Sequence, residues 1–284
     1  MVEIFNTRKD LLQRRAEIQT STGFVPTMGN LHDGHLSLLE KALNEHETVF
    51  FSIFVNPKQF GPNEDFSRYP RTFEADVEKL QSVAKKFPNK KVILFTPRAE
   101  TEIFPHEENQ MISVHKLSTE LEGKIRPGHF DGVATVVYRL FELIRPQTAY
   151  FGLKDYQQYM VIKQMVKDLV LPIKIQGMPI IRETSGLALS SRNQYLSPEQ
   201  KKGSLLLFET LSELKEILKN QKSEIPKVQK KIDEKLQDKD WDYLEMRDSE
   251  TFSRELSKSK NISFLAVYRM GTTRLLDNMQ VEVE

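Results

Sequence analysis

The sequence predicts an α/β fold, in which helices cover a parallel sheet, followed by a smaller domain of mixed α and β structure. Three observations support it: the length of 284 residues, the alternation of short apolar runs with amphipathic segments in the first two thirds, and a change of composition after about Asn193. At roughly 100 to 200 residues per domain, such a chain readily forms two domains. We place the boundary between residues 183 and 184.

Short apolar runs in the first two thirds of the chain have the length of strands, and we predict strands over 23–27, 49–55, 92–96, 149–152 and 173–181. The intervening segments repeat apolar residues at intervals of three and four, which predicts helices over 36–44, 73–85, 133–143 and 156–169. Strands that alternate with helices favour a parallel sheet. Such sheets hold their ligands beyond the carboxyl ends of the strands.

The last third of the chain has a different pattern. Ser197 is a predicted helix cap with Pro198 at the first helical position. Two amphipathic segments rich in Lys and Glu extend to about Asp238, and three strand-like runs follow at 241–247, 262–270 and 280–284. Charge of this kind is typical of a solvated helix face, with an RNA-contacting surface as the less favoured alternative. We therefore expect residues 184–284 to form a small α+β domain that covers the site.

Composition excludes several classes of protein. The chain has 41 Lys and Arg against 40 Asp and Glu, a net charge of +1, which disfavours a dedicated nucleic-acid binder. The absence of cysteine excludes a disulfide framework, a thiolate zinc site and a cysteine nucleophile. No stretch approaches the roughly 18 apolar residues of a membrane span, and residues 1–15 lack the apolar core of a signal peptide. We expect a cytoplasmic enzyme that does not bind membranes.

The segment most informative about chemistry is PTMGNLHDGH, residues 26–35, which leaves the first predicted strand and enters a helix. His32 and His35 lie on one face of that helix start, beside backbone N–H groups without helical partners. A helix amino terminus carries about half a unit of positive charge, and Gly29 and Gly34 allow an anion to approach the backbone. This predicts a phosphate site whose histidines stabilise the charge that develops in nucleotidyl transfer. Helix capping and metal ligation are the alternatives, although no third ligand has metal-site spacing.

Four further motifs follow in order along the chain: FVNPKQF at 54–60, RPGHFDGV at 126–133, FGLKDYQQ at 151–158 and LSSRN at 189–193. Together with HDGH they resemble the family of pantothenate synthetases, or pantoate–β-alanine ligases, within the HxGH nucleotidyltransferase superfamily. The similarity extends to GTTRLLDN near the carboxyl end. The ordered set is far more specific than any single motif. It implies a Rossmann-like domain over residues 1–183 that binds nucleotide and pantoate.

The resemblance implies an ATP-dependent ligase that forms a C–N amide bond. The carboxylate of pantoate attacks ATP and releases pyrophosphate, and the amine of β-alanine then attacks the pantoyl adenylate to give pantothenate and AMP. The chemistry is reasonable, because adenylation gives the acyl carbon a good leaving group and the protein needs only to orient reactants and neutralise phosphate. The resemblance also implies Mg²⁺ with the ATP and a homodimer.

The family pattern assigns pantoate to Gln59 and Gln158, with Asn56 in support, because an amide can both donate to and accept from a hydroxy acid. Asp76, in YPRTFEAD, is the predicted carboxylate for magnesium, with an ordinary helix-surface aspartate as the alternative. Gly- and Pro-rich residues 126–130 are expected to shape the pocket rather than to take part in the chemistry.

The family pattern also assigns the catalytic and nucleotide contacts. The catalytic residues would be His35, His32 and Lys154, with His35 assisting the departure of pyrophosphate. Asp155 would meet the ribose, and Ile181 would face adenine. The complete set of predicted nucleotide contacts is Met28, Gly29, Asn30, Leu31, His32, Asp33, Gly34, His35, Gly152, Leu153, Lys154, Asp155, Ile181, Leu189, Ser190, Ser191 and Arg192. Two positions depart from the family pattern, in which Met is common at Leu189 and Asp at Ser185.

Three other functions use similar sequence features. A class I aminoacyl-tRNA synthetase would carry a Lys-Met-Ser-Lys-Ser loop, which SKSKN at 257–261 resembles only superficially. A small adenylyltransferase would leave the second domain unexplained. An ATP-sensing module without turnover would not need both histidines, Lys154 and the Ser-Ser-Arg motif together. Release of pyrophosphate, and the acid that triggers it, would separate these functions.

Overall fold

The computed structural model describes residues 2–62, 64–105, 110–219 and 221–284. The described residues form two compact units, the first within Met1–Leu153 and Gln157–Pro179 and the second within Lys154–Tyr156 and Ile180–Glu284. The boundary predicted between residues 183 and 184, and the covering role of the second domain, stay predictions. Within the described ranges, no helix combines the length and apolar composition that a membrane span requires.

The first unit alternates strands and helices, as the sequence predicts. Its strands are β1 (Val2–Phe5), β2 (Thr22–Thr27), β3 (Thr48–Ile53), β4 (Lys91–Phe95), β5 (Thr148–Gly152) and β6 (Lys174–Met178). Its helices are α1 (Arg8–Ala16), α2 (Asp33–Glu45), α3 (Phe73–Lys85), α4 (Glu122–Ile125), α5 (His129–Ile144) and α6 (Tyr156–Asp168), the last of which starts at the edge of the second unit. The sequence patterns missed β1 and α1, because β1 has only four residues and α1 buries only Leu11.

The six strands form one parallel sheet in the order β1-β4-β3-β2-β5-β6. The chain runs outward from β2 through β3 to β4 and then returns to place β5 on the other side of β2. The strand order therefore reverses between β2 and β5, where Gly23 pairs with Thr148 and Phe24 with Ala149. In an open parallel sheet, ligands bind beyond the carboxyl ends of the strands at such a reversal. The histidine motif follows β2, so the topology places it at this edge.

Both faces of the sheet are buried. On the central strands, neighbouring residues point to opposite faces, so Phe24 and Phe50 pack into one apolar cluster while Val25 and Phe51 pack into another. Helices α1, α5 and α6 contribute to the first cluster, and α2 and α3 to the second. Burying each such side chain stabilises the fold by about 1.5 to 3 kcal/mol. Two-sided burial explains why the strands are continuous apolar runs rather than alternating ones.

The second unit packs helices on an antiparallel sheet. Its elements are α7 (Pro198–Gly203), α8 (Leu205–Leu218), α9 (Ile225–Lys235), β7 (Trp241–Asp248), β8 (Asn261–Met270) and β9 (Thr273–Glu282), and the strand order is β7-β8-β9. Ser197 caps α7 as predicted, with its side chain accepting from the N–H of Gln200. The last strand was predicted over 280–284, and the structure confirms a final strand but with different bounds, Thr273–Glu282. Met270 pairs with Thr273 across a tight turn in which Gly271 has a φ of 64°.

Candidate functional site

The two histidines of the HDGH motif cap the start of α2. The Nδ1 atom of His32 accepts from the N–H of Gly34 at 3.2 Å, and the Nδ1 atom of His35 accepts from the N–H of His32 at 3.4 Å. The ring centroids lie 4.1 Å apart, and both side chains are partly exposed. The capping alternative is therefore realised, and it brings both imidazoles to one helix start.

This arrangement fixes the tautomer of each ring. A neutral imidazole carries one proton, and a ring whose Nδ1 accepts from a backbone N–H must carry it on Nε2. His32 and His35 therefore present Nε2–H groups as donors at a helix start that already carries partial positive charge. Two such donors match the oxygens of a phosphate group.

Two glycines of the motif are required by their surroundings. A Cβ atom on Gly34 would lie 2.9 Å from both Cε1 and Nδ1 of His32, so a side chain there would displace the capping ring. Gly29 has a φ of 83°, and a Cβ atom there would approach Ile53 Cγ2 at 3.0 Å. Left-handed backbone is costly for residues with a side chain. Asn30 follows with a φ of 51°, a conformation that asparagine tolerates well.

Asp76 holds the loop between β2 and α2. It lies in the first turn of α3 and is 1% exposed. Its Oδ2 atom accepts from the N–H of Asn30 at 2.8 Å, and its Oδ1 atom accepts from the N–H of Leu31 at 2.7 Å. Lys79, one turn further along α3, donates to the carbonyl oxygen of Leu31 at 2.6 Å. The metal-ligand role of Asp76 stays a prediction, whereas the contacts observed are those of a loop anchor.

In the described ranges, no group of three or more His, Cys, Asp or Glu side chains is arranged to hold a metal ion by itself. Both oxygens of Asp76 already accept backbone hydrogen bonds. A divalent ion requires oxygen ligands with lone pairs directed at it. Each carboxylate oxygen has a second lone pair, and Mg²⁺ is commonly held by one or two carboxylates together with substrate phosphates, so the metal-ligand role of Asp76 stays a prediction.

The FVNPKQF motif places Gln59 beside the loop that follows β2. Gln59 is 8% exposed and Asn56 is 1% exposed. The Nδ2 atom of Asn56 donates to Oε1 of Gln59 at 3.2 Å, and Nε2 of Gln59 lies 3.0 Å from the sulfur of Met28. These contacts orient the amide of Gln59 and bring it to Met28, which the sequence assigned to the nucleotide. Asn56 therefore orients the amide of Gln59, and the contact of both residues with pantoate stays a prediction.

The two glutamines of FGLKDYQQ have different environments. Gln157 is 5% exposed and accepts from the N–H of Glu122 at 3.2 Å, while its Nε2 donates to the carbonyl oxygens of Leu117 and Glu120 at 2.7 Å each. Gln157 is thus committed to holding the 117–122 loop. Gln158 is half-buried in the first turn of α6, and its predicted contact with pantoate stays a prediction.

Gly152, the last residue of β5, has open space where a Cβ atom would stand. Leu153 follows it directly and is half-buried. The carboxyl end of β5 therefore leaves room beside the backbone, as a close approach by a ligand requires.

Lys154 and Asp155 belong to the second unit. Lys154 Nζ lies 3.4 Å from Asp155 Oδ1, and the carbonyl oxygen of Lys154 accepts from Nδ2 of Asn278 at 2.8 Å. Asn278 is 3% exposed, so the main chain at Lys154 is fixed by a buried side chain. The GTTRLLDN motif near the carboxyl end therefore has a structural role that the sequence did not specify.

The segment around LSSRN folds into a short hairpin within the second unit. The N–H of Leu189 donates to the carbonyl oxygen of Ile181 at 2.9 Å, and Arg182 forms an isolated antiparallel β-bridge with Ala188. Arg182 also forms a paired contact with Asp277 at 2.6 and 2.9 Å, and Asp277 is 3% exposed. A two-bond pair of this kind holds its partners in one orientation. The hairpin therefore carries Ile181 and Leu189 on a rigid base.

The predicted anion-binding residues follow that hairpin. Ser190 accepts from the N–H of Arg192 at 3.3 Å and caps the short helix Ser191–Tyr195. Asn193 is 7% exposed and donates to the carbonyl oxygen of Ala188 at 3.0 Å. Ser190, Ser191 and Arg192 are half-buried. The binding of phosphate by these three residues stays a prediction. Asn193, the last residue of the motif, instead stabilises the hairpin through its hydrogen bond to Ala188.

Comparisons with known proteins cover almost the whole chain. The family model of pantoate–β-alanine ligase matches residues 2–280. A pantothenate synthetase of Caldicellulosiruptor saccharolyticus is 43% identical over 97% of this chain and 96% of its own length. The crystal structure of pantothenate synthetase from Thermus thermophilus is 40% identical, covers 98% of both chains and superposes with a TM-score of 0.86.

A third relative was determined with ligands. The pantoate–β-alanine ligase of Francisella tularensis, complexed with beta-gamma ATP and beta-alanine, is 33% identical over 98% of this chain and 97% of its own, with a TM-score of 0.76. The similarity to these proteins spans both compact units.

Fold and relatives together define an enzyme of the ligase class that forms an amide bond. The chain belongs to the pantoate–β-alanine ligase family, as the motif resemblance predicts. Similarity over the whole length to ligases disfavours the tRNA synthetase, the short adenylyltransferase and the binding module without turnover.

Proposed function

We propose that this chain condenses pantoate with β-alanine at the expense of ATP, through a pantoyl adenylate, and releases pyrophosphate and AMP. The observation that supports this most directly is the pair of capping histidines at the start of α2, at the carboxyl edge of the sheet where the strand order reverses. Such a site suits the phosphates of a nucleotide.

In the first step, a carboxylate oxygen of pantoate attacks the α-phosphorus of ATP, and the bond from that phosphorus to the oxygen shared with the β-phosphate breaks. Negative charge moves onto the departing pyrophosphate. Nε2–H donors of His32 and His35 stabilise that charge, with His35 assisting the leaving group. Because the capping contacts hold both rings before substrate arrives, little reorganisation is required during reaction.

In the second step, the amine of β-alanine attacks the acyl carbon of the adenylate. The bond from that carbon to the phosphate oxygen breaks, AMP departs, and the nitrogen loses a proton to form the amide. No nucleophile from the protein is needed, and the sequence contains no cysteine. Gln59 and Gln158 hold the pantoyl group in this proposal, and the contacts of Gln59 with Asn56 and Met28 support it.

Residues of the second unit complete the proposal. Lys154 neutralises phosphate, Asp155 meets the ribose hydroxyls, and Ile181 faces adenine. Ser190, Ser191 and Arg192 supply two hydroxyl donors and a guanidinium fork, which are suited to a triphosphate. The rigid main chain at Lys154 and Ile181 supports these roles.

Magnesium enters with the ATP substrate in this proposal, and Asp76 is the carboxylate predicted to contact it. The homodimer and the cytoplasmic location expected from the sequence stay predictions.

The experiment that tests the proposed function measures pyrophosphate, AMP and pantothenate with MgATP, pantoate and β-alanine, each omitted in turn. We expect continuous turnover only with all three, and a single burst of pyrophosphate without β-alanine. If another carboxylic acid triggered release of pyrophosphate and pantoate did not, pantoate would be rejected as the substrate, whereas the adenylation step would still be supported. No release with any acid would reject the proposal.

Gln59→Ala should weaken the handling of pantoate. Removal of the buried amide would leave the polar groups of pantoate without a hydrogen-bond partner. We therefore expect KM for pantoate to rise roughly tenfold or more while KM for ATP changes little. Steady-state kinetics with each substrate varied separately measures this. Gln157→Ala is the matched control, because it removes a buried amide whose contacts are with residues 117–122 and should lower stability rather than pantoate affinity. An unchanged KM for pantoate in Gln59→Ala would remove Gln59 from the substrate site.

A further inference from the structure

Three side chains outside the proposed reaction form a series of contacts that ends at the carbonyl oxygen of Gln59. Arg126 donates to Glu64 through Nε at 2.7 Å and through Nη2 at 2.5 Å. Arg126 Nη1 lies 3.0 Å from Nε2 of His129, and Nδ1 of His129 lies 2.7 Å from the carbonyl oxygen of Gln59. The Arg126 and Glu64 side chains are 15% and 24% exposed. The chain of contacts therefore runs from Glu64 through Arg126 and His129 to the Gln59 main chain.

The protonation states in this chain are determined by its partners. An arginine can only donate, so Nε2 of His129 must accept, and a carbonyl oxygen can only accept, so Nδ1 must carry the proton. Burial and the neighbouring charge of Arg126 lower the pKa of His129 to about 4. Burial would raise the pKa of Glu64, but the hydrogen bonds and charge of Arg126 bring it below its usual value. At neutral pH the chain is carboxylate, guanidinium and neutral imidazole.

The helix that carries His129 also approaches the Gln59 segment very closely. A Cβ atom on Gly132 would lie 2.2 Å from the carbonyl oxygen of Lys58 and 2.7 Å from the nitrogen of Gln59. The Nδ2 atom of Asn56 donates to the carbonyl oxygen of Gly132 at 3.1 Å as well as to the side chain of Gln59. The first turn of α5 therefore fixes both the backbone and, through Asn56, the side chain of Gln59.

We propose that Glu64, Arg126 and His129 are positioning residues for pantoate, which hold the main chain of Gln59 so that its amide keeps the orientation required for binding. The inference rests on the proposed role of Gln59 in the site. Neither Arg126 nor His129 needs to touch the substrate. The RPGHF motif thereby acquires a function distinct from that of the histidine pair on α2.

Two substitutions of His129 separate this role from a merely structural one. His129→Asn can keep a donor near the position of Nδ1 and so retain the bond to Gln59, while it loses the acceptor for Arg126. His129→Gln can keep an acceptor near the position of Nε2, while it loses the short bond to the carbonyl oxygen of Gln59 and leaves only the longer contact from Arg126 Nη2 at 3.4 Å. Each variant removes one hydrogen bond, so we expect similar losses of thermal stability. We expect KM for pantoate to rise about tenfold in His129→Gln and less than about threefold in His129→Asn.

Controls define the outcome. Lys86→Ala, which breaks an exposed ion pair with Glu40, should leave both substrate KM values unchanged. KM for ATP should stay within about threefold of the parent in both His129 variants, since their contacts lie with Gln59. Equal pantoate KM values in the two variants, or an effect confined to kcat, would overturn the positioning role.

The histidine tautomer is tested without turnover. Nitrogen-15 spectra of the unliganded protein at neutral pH should show His129 neutral with its proton on Nδ1, assigned by loss of the signal in His129→Gln. An Nε2–H tautomer or an imidazolium would overturn the inference even if the enzyme is active. Failure of the parent protein to turn over or bind pantoate would instead reject the proposed function.

Discussion

His35→Ala should lower the rate of pyrophosphate release by roughly a hundredfold or more, by analogy with the removal of one donor from an oxyanion hole. The Nδ1 atom of His35 accepts from the backbone, so the neutral ring carries its proton on Nε2 as a donor. Loss of the ring therefore removes a contact that strengthens as charge moves onto pyrophosphate. Single-turnover measurement of pyrophosphate with saturating ATP and pantoate isolates this step.

The appropriate control is His35→Asn. Its side-chain oxygen can accept from the N–H of His32 and preserve the cap, but it carries no donor at the position of Nε2. We expect His35→Asn to unfold like the parent protein and to be nearly as slow as His35→Ala. If His35→Asn retained most of the parent rate, His35 would act only as a helix cap and would have no role in the chemical step.

Asp76→Ala should destabilise the protein by about 2 to 5 kcal/mol, because one buried and one partly buried backbone N–H group lose their acceptors at once. Asp76→Asn should cost less, since its oxygen can still satisfy one of them. Turnover should fall in both variants as the loop before His32 loses its anchor. Urea denaturation in magnesium-free buffer measures the change in the free energy of unfolding.

The same experiment distinguishes an anchor from a metal ligand. Glu74 lies in the same first turn of α3 and is exposed, so Glu74→Ala controls for the loss of one negative charge at that helix start. We expect Glu74→Ala to change stability by a few tenths of a kcal/mol at most, typical of a surface substitution. Parental stability of Asp76→Asn without magnesium, combined with a raised magnesium requirement in turnover, would instead assign Asp76 to the metal.

The sequence alone determined the features that depend on local periodicity. The apolar run over residues 49–55 predicted a buried strand, which the structure has as Thr48–Ile53, and three- and four-residue spacing predicted the helix Phe73–Lys85. It also predicted His32, His35 and Gln59 as site residues, because each lies in a motif of consecutive residues. The histidine cap could be foreseen because it joins residues only three apart.

Only the tertiary structure decided which distant groups meet. Asp76 is 45 residues from Leu31, so the sequence does not show that this carboxylate accepts a hydrogen bond from the loop after β2. Glu64 and Arg126 are separated by 62 residues, and His129 and Gln59 by 70, so no sequence period reports their contacts. The strand reversal between β2 and β5 is likewise a long-range pairing, of Gly23 with Thr148. Contacts of this kind form only when the sheet brings separate loops to one edge, which local spacing does not encode.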